Sequence, residues 1–298
     1  MDDGLSTALR KLIGTPSTSI RTPAMHPLPR TDPSASPYPP FPEGLPDEIA
    51  TAGAYAVRFA RSLHELEAIQ KLRFEVFNLE LGEGLDASYD TGRDVDEFDA
   101  TCHHLMVCET KTGEIVGTYR LQTLAMAERG RGFYSDDEFD LSDLPREILS
   151  QAVEIGRACI AKKHRGLKVL YLLWCGLGMY LNKNAKRYLF GCNSLTSQDP
   201  AEGQHVLDYL MENGHMHPTL TVRPQPGYEC IPEAGAMPPT AKANVPRLMR
   251  VYLSFGAKIC GAPAIDRLFK TIDYFAFFDA ENLDQRTLAF FRYRPDTP

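Results

Sequence analysis

A mixed α/β sheet flanked by helices is the fold class that this sequence predicts, on three observations. β-rich runs alternate with helical stretches in the order β-α-β-β-β-α-β-α. The tetrapeptide "KTGE" (111–114) is a hairpin signal between two of those runs, with Gly113 supplying the positive φ. The longest apolar run, "VLYLLWCGLGMYL" (169–181), has 13 residues. A membrane span needs roughly 20, so this run reads as a helix buried against the sheet.

Each element has its own signal. "AYAVRFA" from Ala54 is a short strand. Ser62 and Glu65 form a capping box, and Leu63, Leu66, Ile69, Leu72 and Val76 make the apolar stripe of the helix that follows. Arg73 and Phe77, four apart, share a face of it. After an acidic loop come the strands "CHHLMVCET" and "EIVGTYRLQT", then a polar, irregular segment over 125–150. A strand over 151–160 and a turn over 161–166 lead into the buried helix, about 167–184. "RYLFGCNSL" is a strand, 200–213 a helix and "DYFAFFDA" a late strand. Pro246 opens a last helix that ends near Gly256. The Pro-rich stretch 217–246 lies between structured segments and reads as a long ordered loop.

Composition bounds the rest. The chain has 298 residues, 43% hydrophobic and 24% charged, ordinary for a soluble globular protein. Its net charge of −7 argues against general affinity for nucleic acid or anionic lipid. Residues 1–13 suit a short amphipathic helix, and 15–45 are rich in Pro and Ser, so residues 1–50 are expected to be a disordered tail ahead of a folded domain over 54–298. The seven cysteines form no CxxC pair and read as reduced core thiols of a cytoplasmic protein. No secretory signal is visible. His103, His104, His215 and His217 lack paired metal spacing, and no metal is expected.

The chemistry concentrates in "EIGRACIAKKHRG" (154–166). In an ideal strand, residues three apart point to opposite faces, which would force Glu154 or Arg157 into the core. A bulge at Gly156 shifts the parity and turns both into one cleft; the alternative is a structural Arg–Glu ion pair. Lys162, Lys163, Arg165 and Lys168 cluster at a helix start, where free N–H groups favour an anion and Gly166 permits close approach. The alternative is a solvated charge run. Cys159 beside the motif has no histidine spaced as a partner, which leaves covalent catalysis the weaker reading. The acidic loop "DASYDTGRDVDEFDA" (86–100) lacks the glycine and closing glutamate of a calcium loop, and on its own reads as a solvated acidic loop. "GLGMYL" (176–181) lies inside a helical run and reads as packing, not as a dinucleotide site.

A bulged strand, a basic glycine turn and a buried helix together resemble GNAT-type acyltransferases. The segments "LRFEVFNLELGEG", "DVDEFDATCHHLMV", "VGTYRLQT", "GFYSDDEFDL", "VEIGRACI", "YLFGCNSL" and "YLSFGAKICGAPAIDRLFKTIDYFAFFD" recur in the order seen in the ornithine-lipid N-acyltransferases, the hemolysin-like branch of that fold, over roughly 55–293. A more distant resemblance, to acyl-homoserine lactone synthases, rests on Arg73 with Phe77, Asp96 with Asp99, Arg120, and Glu154 with Arg157.

The resemblance implies the GNAT fold, a mixed sheet with splayed central strands. It implies transfer of a 3-hydroxylated fatty acyl group from acyl carrier protein to the α-amine of ornithine, giving lyso-ornithine lipid. The donor is then an acyl-phosphopantetheine thioester, with no permanently bound cofactor. Glu154 becomes the candidate general base, with Arg157, Asp96 and Asp99 in the catalytic set. Arg73, Phe77 and Arg120 are candidate substrate contacts, and the amides near Gly156 and Ala158 candidate oxyanion donors. Lys163, Arg165 and Gly166 are candidate phosphate ligands. Asp96 and Asp99 are also candidates to attract a side-chain ammonium. "KHRGLK" departs from the usual CoA turn by placing Lys168 where Gly or Ala is expected, which favours the carrier protein as donor. Lys162, Lys163, Arg165, Lys183, Lys186 and Arg187 suggest its docking face. A different amine acceptor is one alternative reading, and a non-enzymatic membrane- or partner-binding module another. Peripheral membrane contact is left open.

Overall fold

The protein is described from a computed structural model, which covers residues 38–233 and 242–283. The N-terminal amphipathic segment and part of the Pro-rich loop lie outside the described residues. Nine strands form one sheet in the order β1-β2-β3-β4-β6-β7-β11-β10, with β9 also on β11. They are β1 (Ala50–Ala52), β2 (Tyr55–Phe59), β3 (His103–Glu109), β4 (Ile115–Thr123), β6 (Ala152–Ile160), β7 (Tyr188–Leu195), β9 (Lys258–Ile259), β10 (Ala264–Asp266) and β11 (Thr271–Asp279). A separate two-stranded ladder joins β5 (Phe139–Asp140) to β8 (Arg223–Pro224).

Helices cover both faces of the sheet. In β3, Leu105 and Val107 face α2 (Leu167–Lys183), while Met106 and Cys108 face α1 (Leu63–Phe74). Because both faces are buried, the strand reads as a nearly continuous apolar run. Gly176 brings α2 close to the sheet, since an added Cβ would lie 2.4 Å from Leu105 Cδ1. The expected packing role of "GLGMYL" is met there. Helices α3 (Pro200–Glu212) and α4 (Arg247–Ser254) enclose a second apolar cluster against Ile272 and Tyr274 of β11. No helix among the described residues is long and apolar enough to cross a membrane.

Three expectations need correction. Residues 38–50, assigned to the tail, pack on the domain: Leu45 is 1% exposed, and the Pro40 carbonyl is 2.6 Å from His103 Nε2. The folded unit therefore begins at Tyr38 at the latest. Leu63 lies off the buried stripe of α1 and is exposed. The Ser62 cap does form, accepting from the Glu65 N–H at 3.3 Å, but Glu65 reaches back to the Arg61 N–H rather than to Ser62 itself. Beyond Phe74 the helix continues as wider π turns from Glu75 to Leu81.

The strand that carries Glu154 is bulged, one residue later than expected. Thr118 pairs with Cys159 and Arg120 with Gly156, so β6 holds one extra residue opposite Tyr119. Arg157, not Gly156, takes the left-handed conformation, with φ 48°. On the other side, β6 runs parallel to β7 only through the pair Glu154–Phe190. This is the one parallel ladder between named strands among the described residues, and the two strands part beyond it. Gly191 sits at the fork, where an added Cβ would lie 2.1 Å from the Ile155 carbonyl oxygen. Gly156 has open space around the same position. We expect Gly191→Ala to cost roughly 1–3 kcal/mol in urea unfolding, and Gly156→Ala to leave the unfolding midpoint nearly unchanged.

Candidate active site

Where β6 leaves β7, a cavity of about 800 Å³ opens. Its polar end carries Glu154, Arg157, Arg120 and Asp273. Its apolar end is walled by Leu170, Trp174 and Leu177 of α2, Met249 and Tyr252 of α4, and Phe278 of β11. Segments 115–126 and 248–260 both contribute to its lining, and α2 adds a third wall. Trp174 is 5% exposed and lines the cavity as well as packing in the core.

Glu154 is 6% exposed and held by a short 3-10 turn, Tyr134–Asp137. The Tyr134 N–H donates to Oε2 at 2.9 Å; the Ser135 N–H and hydroxyl donate to Oε1 at 2.7 and 2.6 Å. Burial raises the carboxyl pKa above its ordinary value, and these bonds oppose the shift only in part. Arg157 does not pair with Glu154. Its Nη2 donates to Asp96 at 2.9 Å, and its guanidinium lies between the rings of Tyr134 and Phe269, 4.8 and 4.2 Å from their centroids. A simple Glu–Arg ion pair within the strand is thereby excluded.

Behind this wall lies a lattice of three arginines and three aspartates. Arg73 binds Asp94 at 2.7 Å and Asp99 at 2.8 Å; Arg120 binds Asp96 at 2.5 Å and Asp99 at 3.2 Å. Arg157 adds Asp94 at 3.4 Å. Burial alone would raise the Asp96 pKa, but Arg120 and Arg157 outweigh it and hold it at about 2. For Asp99, Arg73 and Arg120 likewise overcome burial and hold the carboxyl well below its usual range. His104 Nε2 is 3.0 Å from the Asp99 carbonyl oxygen, and burial pushes its pKa down to about 4.

At the other end of β6, Gly166 precedes α2 with no side chain capping the helix. Arg165 is engaged with Glu80 at 2.6 and 2.8 Å, while the Lys163 side chain is exposed. Arg165 and Gly166 line the cavity mouth; Lys163 does not. Cys159 is buried, its pKa pushed up to about 12, so it is a poor thiolate.

The acetyltransferase (GNAT) domain family matches residues 72–175. An L-ornithine N(alpha)-acyltransferase of Brucella abortus is 33% identical over 257 residues, 82% of this chain and 90% of its own. This chain belongs to the L-ornithine N(alpha)-acyltransferase family. A relative of the same name from Rhizobium meliloti is 31% identical over 82% of this chain and 86% of its own. Among solved structures, the acyl-homoserine lactone synthase LasI covers 81% of this chain and 96% of its own at 13% identity, with TM-score 0.42.

In this N-acyltransferase the predicted site residues fall into two layers. Glu154, Arg157, Arg120, Phe77, Gly156, Ala158, Arg165 and Gly166 line the cavity. Arg73, Asp96 and Asp99 do not: Arg73 is 0% exposed, and the two aspartates are already matched by arginines. The expectation that Asp96 and Asp99 attract a free ammonium is therefore corrected. So is the wide docking face, because Arg187 is committed to Asp279 and Lys186 to the Ser150 carbonyl, at the far end of α2 from the basic turn. Sequence reasoning missed Ser135 and Tyr134, although they sit in the quoted segment "GFYSDDEFDL". It also missed an acid cluster, Glu138, Asp266 and Asp273, whose members are far apart in the chain. Removing one partner of a buried ion pair leaves the others uncompensated. Arg73→Met is expected to cost roughly 3–5 kcal/mol in urea unfolding, with Arg120→Lys retaining more stability than Arg120→Met.

Proposed function

We propose that this enzyme transfers a fatty acyl group from the phosphopantetheine thioester of acyl carrier protein to the α-amine of ornithine. The observation that carries the reading is the position of Glu154: a buried, hydrogen-bonded carboxylate at the fork of β6 and β7, facing a long apolar cavity. The fork has room for the pantetheine arm along the β7-facing edge of β6. The apolar end suits the acyl chain, and the uncapped start of α2 suits the phosphodiester. A carrier-bound donor is favoured by Lys168, which lies against Gly53 where a full pyrophosphate cradle would want a small residue.

The thioester is already activated, so no covalent enzyme intermediate is required. The neutral amine attacks the thioester carbonyl, and amides near Gly156 and Ala158 steady the developing oxyanion. Glu154, directly or through a water, takes the amine proton, and the pantetheine thiolate departs and is reprotonated. The Asp96–Arg157 pair positions the bulge rather than exchanging protons, because Asp96 stays ionised. The carrier contacts the exposed basic turn, Lys162 and Lys163. This reading places the enzyme in the cytoplasm, where its product partitions into the adjacent membrane.

Glu154→Gln preserves the acceptor for Ser135 and removes the base. It is expected to lower kcat by roughly 10²–10⁴-fold with the far-UV spectrum unchanged, while the amide NH2 that now meets the Tyr134 N–H lowers the unfolding midpoint modestly. Glu154 acts ionised and its pKa is raised, so kcat/KM of the parent falls as pH drops through that raised value; the variant loses this limb. Near-parental turnover of acyl-carrier thioester and ornithine by the variant, read by mass spectrometry of the product, would remove Glu154 from the mechanism. Product formed with a different amine and not with ornithine would replace the acceptor.

A further inference from the structure

Charge is balanced in the arginine–aspartate lattice and unbalanced in a second buried cluster, of which Asp273 lines the cavity. The lattice matches three arginines to three aspartates. Beyond the Tyr134 and Phe269 rings that flank Arg157, Glu138, Asp266 and Asp273 each bring a carboxylate oxygen within 4.8 Å of the other two. None of the three makes an ion pair among the described residues. Arg157 acts on Glu138 and Asp273 only from a distance, its guanidinium being taken by Asp94 and Asp96.

The hydrogen bonds in the cluster show which oxygens are spoken for. Asp266 Oδ1 accepts the N–H groups of Leu268 and Phe269, both at 2.8 Å, and its Oδ2 accepts the Tyr134 hydroxyl at 3.2 Å. Asp273 accepts the hydroxyls of Ser194 and Thr271 at 2.5 and 2.7 Å. Glu138 is 2% exposed; the Tyr134 hydroxyl, which donates to Asp266, is the one donor beside its carboxylate, and neither Glu138 oxygen receives a well-aligned hydrogen bond among the described residues. A buried carboxylate that must share one poorly aligned donor is costly, and this one is aimed at two further acids. Burial, then Asp273 and Asp266, push the Glu138 pKa well up; Asp273 is raised to about 6, chiefly by burial.

The cluster is tied to the proposed site. Asp273 lines the same cavity as Glu154, as does Glu83, a further buried acid that accepts the Thr196 hydroxyl. Glu138 follows the 3-10 turn whose first two N–H groups fix Glu154, so one short segment sets the position of both carboxylates.

We propose that Glu138, Asp266 and Asp273 form the subsite for a cationic group on the acceptor's side chain, the terminal ammonium of a diamino acid whose α-amine lies at Glu154. This rests on the amino-acid-acceptor reading above and assigns the residues that select within it. An ammonium offers three N–H donors, and charge-assisted bonds of about 2.8 Å in tetrahedral directions set three acceptors about 4.6 Å apart. Three carboxylates meet that need, and the Glu138 oxygens gain well-aligned donors. The ligand's positive charge then replaces the protons that the crowded acids would otherwise share.

The test uses the full-length enzyme with acyl-carrier thioester and two acceptors, ornithine and norvaline, which differ in the terminal amine. The parent should prefer ornithine. In Glu138→Gln and in Asp273→Asn, the ratio of kcat/KM for ornithine over norvaline should fall at least about 30-fold, through KM. A ratio taken within one preparation is insensitive to partial misfolding, and either variant suffices if the other does not fold. An unchanged ratio in a folded variant, or a parent indifferent to the terminal amine, overturns the subsite while the acyltransferase reading stands. Stoichiometric divalent metal in the parent by elemental analysis, lost in Glu138→Gln with the ratio unmoved, overturns it in favour of a metal site. A parent inactive toward every α-amino acid overturns the acceptor reading itself, and this inference with it.

Discussion

One extra residue in β6 organises the site. Opposite Tyr119 the strand carries both Arg157 and Ala158, and Arg157 takes a left-handed φ that costs a non-glycine residue roughly 1–2 kcal/mol. The ion pairs of Arg157 with Asp96 and Asp94, and the two aromatic rings around its guanidinium, hold it there. With the parity shifted, Glu154 and Arg157 both line the cavity. Without the shift, one of them would point into the packed face beneath α1 or α2.

The arginine–aspartate lattice acts as a brace for that bulge. Arg73 reaches it from α1, Arg120 from β4 and Arg157 from β6, while Asp94, Asp96 and Asp99 come from one loop. Three elements distant in the chain are thus fixed to each other at the floor of the cavity. Such a network is a weak source of net stability, because desolvation offsets most of the attraction. Its contribution is positional: any one member removed leaves a buried charge, so the arrangement is nearly all-or-none. The Glu138–Asp266–Asp273 cluster, with its unmatched acids, has no such brace, and a cationic ligand would complete it.

Much of this was legible in the sequence. Glycine and charge together in "EIGRACIA" forecast a bulge, since no other strand geometry faces Glu154 and Arg157 into one space. Conformational freedom alone favours a bulge at the glycine, but ion pairs formed across the fold set it at Arg157 instead. The apolar periodicity of α1 and α2 fixed their buried faces, apart from exposed Leu63 at the first turn. The ion pairs of Asp96 and Asp99 are not legible locally, because composition shows an acidic loop and cannot show three arginines arriving from elsewhere. The Glu138–Asp266–Asp273 cluster was invisible for the same reason: it exists only after β10 and β11 fold back beside the Tyr134–Asp137 turn.

The central claim is that the gap between β6 and β7 receives the thioester arm. A crystal structure of the enzyme with a non-hydrolysable acyl-pantetheine amide tests it directly. The account predicts an extended arm bonded to the β7-facing edge of residues 156–160, its amide carbonyl toward Gly156 and its acyl chain among Leu173, Trp174 and Tyr252. An arm bound on another face, or strands closed together past Glu154–Phe190, would contradict it.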